Sequence, residues 1–223
     1  MKKLFISSQI PDTVSSIFKD MGFSLVLLPP EPSLPEPVSA HGDMLMFENI
    51  VQKDYYERNR ALFDGFDIVL ADEGFGNKYP RDILLNAFTV GDTLFGRLDS
   101  LASQIKIRYP NAVNLRQGYA KCSTLLFGNN AVTADTGIAD ALSDFGCEVL
   151  LIRQGSILLP GYDYGFIGGA SFVYDKRVVF FGNIEAHPDH IRIREFIEAR
   201  GYDILYDPRT PLVDLGGAVM IKG

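Results

Sequence analysis

The chain has 223 residues, a net charge of −7, 47% hydrophobic and 22% charged residues, and no apolar run near the roughly 20 residues that a bilayer crossing needs. An acidic balance argues against a phosphate-backbone partner, and two cysteines are too few for a disulfide scaffold or a cysteine zinc site. The expectation is therefore a globular cytoplasmic protein with no nucleic-acid or membrane partner.

Lys2 to Ser7 reads as a short strand, because Ser7, Ser8, Gln9, Pro11 and Asp12 cut its apolar stretch too short for a signal peptide. A helix is predicted from Pro11 to Met21: Val14, Ile17, Phe18 and Met21 form the stripe of one buried face, and Gly22 stops it. Leu25 to Leu28 is the next strand. Five prolines in the nine residues from Pro29 to Pro37 make an extended connector, either a plain linker or a lid over a site.

His41-Gly42-Asp43-Met44-Leu45-Met46-Phe47 reads as a strand that runs from a solvent-lined end into a core. A helix over about Asp54 to Phe63 and the strand Ile68 to Leu70 follow. Phe88 to Phe95 suits a strand pair turning near Gly91, and Leu98, Leu101, Ala102 and Ile105 restore the helical stripe before Ala112 to Leu115. Gly118 to Phe127 is predicted as a strand, with its hairpin partner at Ala131 to Thr133. Asp135 then caps a helix that Gly146 stops. Ile167 to Tyr174 and Val178 to Phe181 form the next pair, followed by a helix between Pro188 and Gly201 and the run Ile204 to Tyr206.

Ile167-Gly168-Gly169-Ala170-Ser171-Phe172-Val173 is matched by Leu215-Gly216-Gly217-Ala218-Val219-Met220-Ile221, so the last segment starts a unit it has no residues to finish. The missing strand, helix and strand are those of the N-terminus. A single domain over 1–223 is expected, with units near 1–40 plus 214–223, 41–84, 85–117, 118–166 and 167–213.

Five strand-strand-helix-strand units closing through both termini resemble the pentein fold, the five-bladed α/β propeller of the guanidino-group-modifying enzymes. These include arginine deiminase, dimethylarginine hydrolase and amidinotransferases. The resemblance implies helices outside, first strands around a central pore, and polar residues at the strand openings. His41-Gly42-Asp43 has the form of the family's His-x-Asp pair. The family's late Cys falls where this chain has Met220 or Ile221, a departure at the nucleophile. A ribosome anti-association factor uses the same ring only to bind, so the fold alone does not imply catalysis.

Cys122, near the opening of the fourth unit, is either a small core residue or a nucleophile paired with His41, an arrangement that suits a thiolate beside an imidazole. His41 is either a hydrogen-bonded strand-end residue or a general acid or base, with Asp43 positioning a cationic substrate and Lys121 adding charge beside the thiol. Tyr162, Asp163 and Tyr164 are either a packed interblade turn or the mouth of a cation site. Gly168 and Gly169, with Gly216 and Gly217, leave room for substrate against backbone in one axial polar pocket. Neither a cofactor nor a metal is expected, since His41, His187 and His190 have no ligand spacing. Two functions remain: a hydrolase or amidino-group-modifying enzyme acting through Cys122 and His41 on a small cationic or amide-bearing molecule, or a binding module without turnover.

Overall fold

The computed structural model describes residues 2–221. Its strands and helices run in chain order as β1 (Lys2–Ser7), α1 (Asp12–Asp20), β2 (Phe23–Leu28), α2 (Gly42–Leu45), β3 (Met46–Phe47), β4 (Ile50–Gln52), α3 (Lys53–Arg58) and β5 (Val69–Ala71). Then come β6 (Phe88–Val90), β7 (Thr93–Gly96), α4 (Ser103–Arg108), β8 (Ala112–Asn114), β9 (Thr124–Phe127), β10 (Asn130–Thr133), α5 (Thr136–Asp144) and β11 (Glu148–Leu151). The last are β12 (Ser171–Tyr174), β13 (Arg177–Phe180), α6 (His190–Glu198), β14 (Asp203–Leu205) and β15 (Ala218–Val219).

These strands form five three-stranded sheets of one design, in which the first strand is antiparallel to the second and the second is parallel to the third. A parallel pair needs a crossover, and α1, α3, α4, α5 and α6 supply it. Both ends of the chain make the first sheet, where Phe5 pairs with Val219 and Ile6 with Ala218. The first strands of all five sheets border one cavity, with Met46, Phe88, Leu126, Phe172 and Val219 on its wall.

The helix stripes meet the sheets as expected, with Val14 and Phe18, Ile138 and Leu142, and Ile193 and Ile197 buried. Asp135 accepts a hydrogen bond from the Ile138 N–H at 2.9 Å, so it caps α5. Asp135→Ala should cost about 1 kcal/mol in urea denaturation, while Asp135→Ser should recover most of it.

The strand openings differ from expectation. His41–Phe47 is a strand only at Met46–Phe47, and Gly42–Leu45 is a helical turn with His41 at its N-cap. Residues 120–123 and 167–170 are likewise turns ahead of β9 and β12. The N–H groups of Leu45, Ser123 and Ala170 bond the carbonyls of His41, Tyr119 and Phe166, each four residues back. The Asp54–Phe63 helix is also split, into α3 and a 3-10 turn at Arg60–Phe63.

Candidate functional site

Counting back two residues from each first strand gives Met44, Asn86, Cys122, Gly169 and Gly216, the corresponding position of every unit. Contacts tie these openings together. Asn86 Nδ2 approaches Cys122 Sγ at 3.0 Å and Met44 Sδ at 3.4 Å. Asn86 Oδ1 accepts the Lys121 N–H at 2.8 Å, the Gly169 N–H donates to the Cys122 carbonyl at 2.9 Å, and the Asp43 N–H donates to the Gly216 carbonyl at 3.0 Å. This layer forms a floor with a cavity on either side, so the single axial pocket expected from the sequence is two.

The first cavity, of about 240 Å³, brings together five of the residues singled out in the sequence: His41, Cys122, Tyr162, Asp163 and Tyr164. Asp214 completes its polar lining, and Tyr119 and Phe166 extend the aromatic wall. Among the described residues no lysine or arginine borders it. Asp163 and Tyr162 are exposed at the rim, whereas His41, Cys122 and Asp214 are buried. Tyr119 is held by its hydroxyl, which donates to Asp82 at 2.5 Å.

Asp214 Oδ1 accepts the Gly216 N–H at 2.9 Å, and Oδ2 accepts the Phe166 N–H at 2.8 Å. His41 Nδ1 lies 3.7 Å from Asp214 Oδ1, and among the described residues neither ring nitrogen has a hydrogen-bond partner. Burial pushes the Asp214 carboxyl up to about 6, with His41 opposing the rise and Asp43 adding to it. The Cys122 thiol is pushed well above its ordinary value by burial, then by the Asp43 and Asp214 carboxylates. Both effects favour the neutral thiol over the thiolate. The Asp163 and Asp214 carboxylates, the aromatic walls and a thiol whose ionisation positive charge would favour suit a small organic cation.

Asp43 and Lys121 are not on this chamber. They face the second cavity, because the turn of α2 sends His41 and Asp43 to opposite sides of the floor, and the turn at 120–123 does the same for Cys122 and Lys121. Gly168 and Gly169 border neither cavity. A Cβ at Gly168 would stand 2.3 to 2.6 Å from the carbonyl oxygens of Lys121, Thr124 and Cys122, and one at Gly169 would strike Asp214. Gly168 lets backbones of neighbouring units touch and Gly169 makes room for the Asp214 side chain, so neither leaves space for substrate. Gly216 serves His41 in the same way, since its Cβ would overlap that side chain. Sequence reasoning missed Asn86 and Asp214, although each is a lone polar residue inside an apolar run, Leu84-Leu85-Asn86-Ala87-Phe88 and Leu212-Val213-Asp214-Leu215. Met220 borders the second cavity and Ile221 is core, so the place of the family's late Cys holds apolar side chains.

Among the described residues no cluster of three His, Cys, Asp or Glu could hold a metal, and no helix is long and apolar enough to cross a membrane.

A model described as a family of unknown function, DUF6873, matches residues 5–219. No curated protein matches the sequence. Among solved structures the chain is similar to DDAH from Pseudomonas aeruginosa, a Cys-to-Ser mutant complexed with citrulline, at 12% identity and TM-score 0.58 over 98% of each chain. A dimethylarginine dimethylaminohydrolase His-to-Gly variant, an adduct with S-methyl-L-thiocitrulline, matches at 12% identity and TM-score 0.57 over 98% of this chain and 99% of that one. AgrE in ternary complex with ornithine and NAD+ matches at 13% identity and TM-score 0.56 over 97% of this chain but 38% of that one. The chain has the α/β fold of these proteins, the five-unit pentein architecture.

Proposed function

The chain belongs to the DUF6873 family, and we propose that its Cys122 chamber binds a small guanidinium or ammonium compound and acts on a C–N bond of it. The observation that carries this reading is a thiol, an imidazole and a buried carboxylate in one aromatic-walled cavity that, among the described residues, no lysine or arginine borders. Similarity to proteins solved with citrulline and ornithine supports the substrate class.

A cation entering past Asp163 offsets the two carboxylates that raise the thiol, so ionisation of Cys122 is coupled to substrate arrival. With a guanidinium, Sγ attacks the central carbon and the thiol proton passes to His41. The C–N bond breaks as His41 returns that proton to the departing amine. Water then adds to the carbon, the C–S bond breaks, and a urea product and the free thiol result. Binding without turnover is the second reading, favoured by burial that opposes ionisation of the thiol and by its hydrogen bond from Asn86.

Mass spectrometry with an amidine carrying a leaving group, such as a chloroacetamidine, separates the two. Adduct formation on Cys122 that Asp163→Asn slows about tenfold and Cys122→Ser abolishes supports the enzyme, the tenfold loss corresponding to about 1.4 kcal/mol for one charged contact. Saturable guanidinium binding without any adduct supports the binding module, and no binding of guanidinium or ammonium compounds overturns both.

A further inference from the structure

The second cavity, about 380 Å³ in volume, lies on the other side of the floor and is bordered by all five first strands. Its walls are mostly apolar, from Met46, Phe88, Leu126, Phe172, Val219 and Met220, with Thr89 and Ser171 among them, while Asp43 and Lys121 stand at the floor end. Asp43 is only 3% exposed, and among the described residues neither of its carboxylate oxygens has a hydrogen-bond partner of good geometry, although the Cys122 thiol lies close to it. Glu48, which also borders the cavity, is already bonded by Arg108 at 3.2 Å and Tyr109 at 2.8 Å. The Lys121 ammonium is held below its ordinary value by burial, against the pull of Asp43.

Asp43 attracts the Lys121 ammonium without forming an ion pair with it, and a buried carboxylate short of hydrogen bonds is costly, so a ligand ammonium in the pore can supply the donors it lacks. A simple cation would give Lys121 no acceptor, and a simple anion would give Asp43 no donor. Either would also leave the apolar walls against water. A molecule bearing one ammonium and one carboxylate at the same end, with an apolar body, meets all three surfaces. A volume within the roughly 300–1,000 Å³ of ligand pockets admits one of that size. We infer that the axial pore is a second binding site, for a neutral α-amino acid with an apolar side chain, its ammonium on Asp43, its carboxylate toward Lys121 and its side chain along the strand walls. The inference does not rest on the chemistry proposed for the Cys122 chamber, although Asp43 also acts on the Cys122 thiol through the floor.

Isothermal titration calorimetry with L-leucine and L-methionine tests it, using isoamylamine and isocaproate as analogues of leucine that each lack one charge. Leucine should bind at least tenfold more tightly than either analogue, and Asp43→Asn and Lys121→Met should each weaken it by a similar factor. If Lys121→Met fails to fold by circular dichroism, Leu126→Trp, which fills the pore from its wall, should remove binding instead. Tyr162→Ala, at the rim of the other chamber, should leave leucine affinity unchanged. The inference is overturned if neither amino acid binds at millimolar concentration, if the analogues bind as well as leucine, or if Tyr162→Ala weakens leucine as much as the pore variants do.

Discussion

Gly168→Ala should destabilise the protein by at least about 3 kcal/mol, lowering Tm by roughly 6–12 °C for a chain of this size. The methyl carbon would stand 2.3 Å from the Lys121 carbonyl oxygen, 2.4 Å from that of Thr124 and 2.6 Å from that of Cys122. All three are backbone atoms of the neighbouring unit, so no side chain can swing away, and relief requires the fourth and fifth units to separate. That separation would also break the 2.9 Å bond from the Gly169 N–H to the Cys122 carbonyl. Gly74→Ala is the control, since nothing lies within 4 Å of its added Cβ. Thermal and urea unfolding of the two variants decide the matter: a Gly168→Ala protein as stable as Gly74→Ala would mean that the units do not meet there.

Between pH 4 and 7 the wild-type protein should lose stability relative to Asp214→Asn. The Asp214 carboxyl is held up to about 6 in the folded chain, first by burial. In the unfolded chain it titrates near about 3.9. In that window the folded state therefore binds more protons than the unfolded one, and stability falls as pH rises, by on the order of 2–3 kcal/mol, levelling off above the folded value. His41 and Asp43 modulate the step, but Asn at position 214 removes it. The asparagine gives up the Oδ2 bond to the Phe166 N–H, a cost that does not vary with pH. Urea denaturation of both proteins at several pH values measures the difference, and a difference flat with pH would mean that Asp214 ionises like an exposed carboxyl.

Much of the architecture is legible in the chain because it is written locally and repeated. The stripes at Val14-Phe18, Ile138-Leu142 and Ile193-Ile197, each closed by a glycine, mark helices against sheets, and all six residues are buried. The Gly-Gly-Ala pattern at residues 168 and 216 places the final segment as a first strand, which β15 is when it pairs with β1. Cys122, His41 and the 162–164 aromatic turn share a cavity, as their places at the strand openings suggest.

The direction of each polar side chain is a different kind of information. His41–Phe47 has the polar-then-apolar texture of a strand entering a core, and in a strand His41 and Asp43 would share a face. Contacts from other units, such as the Asp43 N–H on the Gly216 carbonyl, accompany a helical turn instead, and the turn splits the pair between two cavities. The same holds for Cys122 and Lys121, and for the glycines whose missing Cβ atoms make room for backbone or side chains from another unit. Periodicity, stop signals and repeat number are properties of neighbouring residues, so the amino-acid sequence by itself determined the five units and their order. Which side of the floor each charge faces depends on atoms some 35 to 175 residues away, such as Asn86 against Cys122 and Asp214 against His41, and only the tertiary structure decided it.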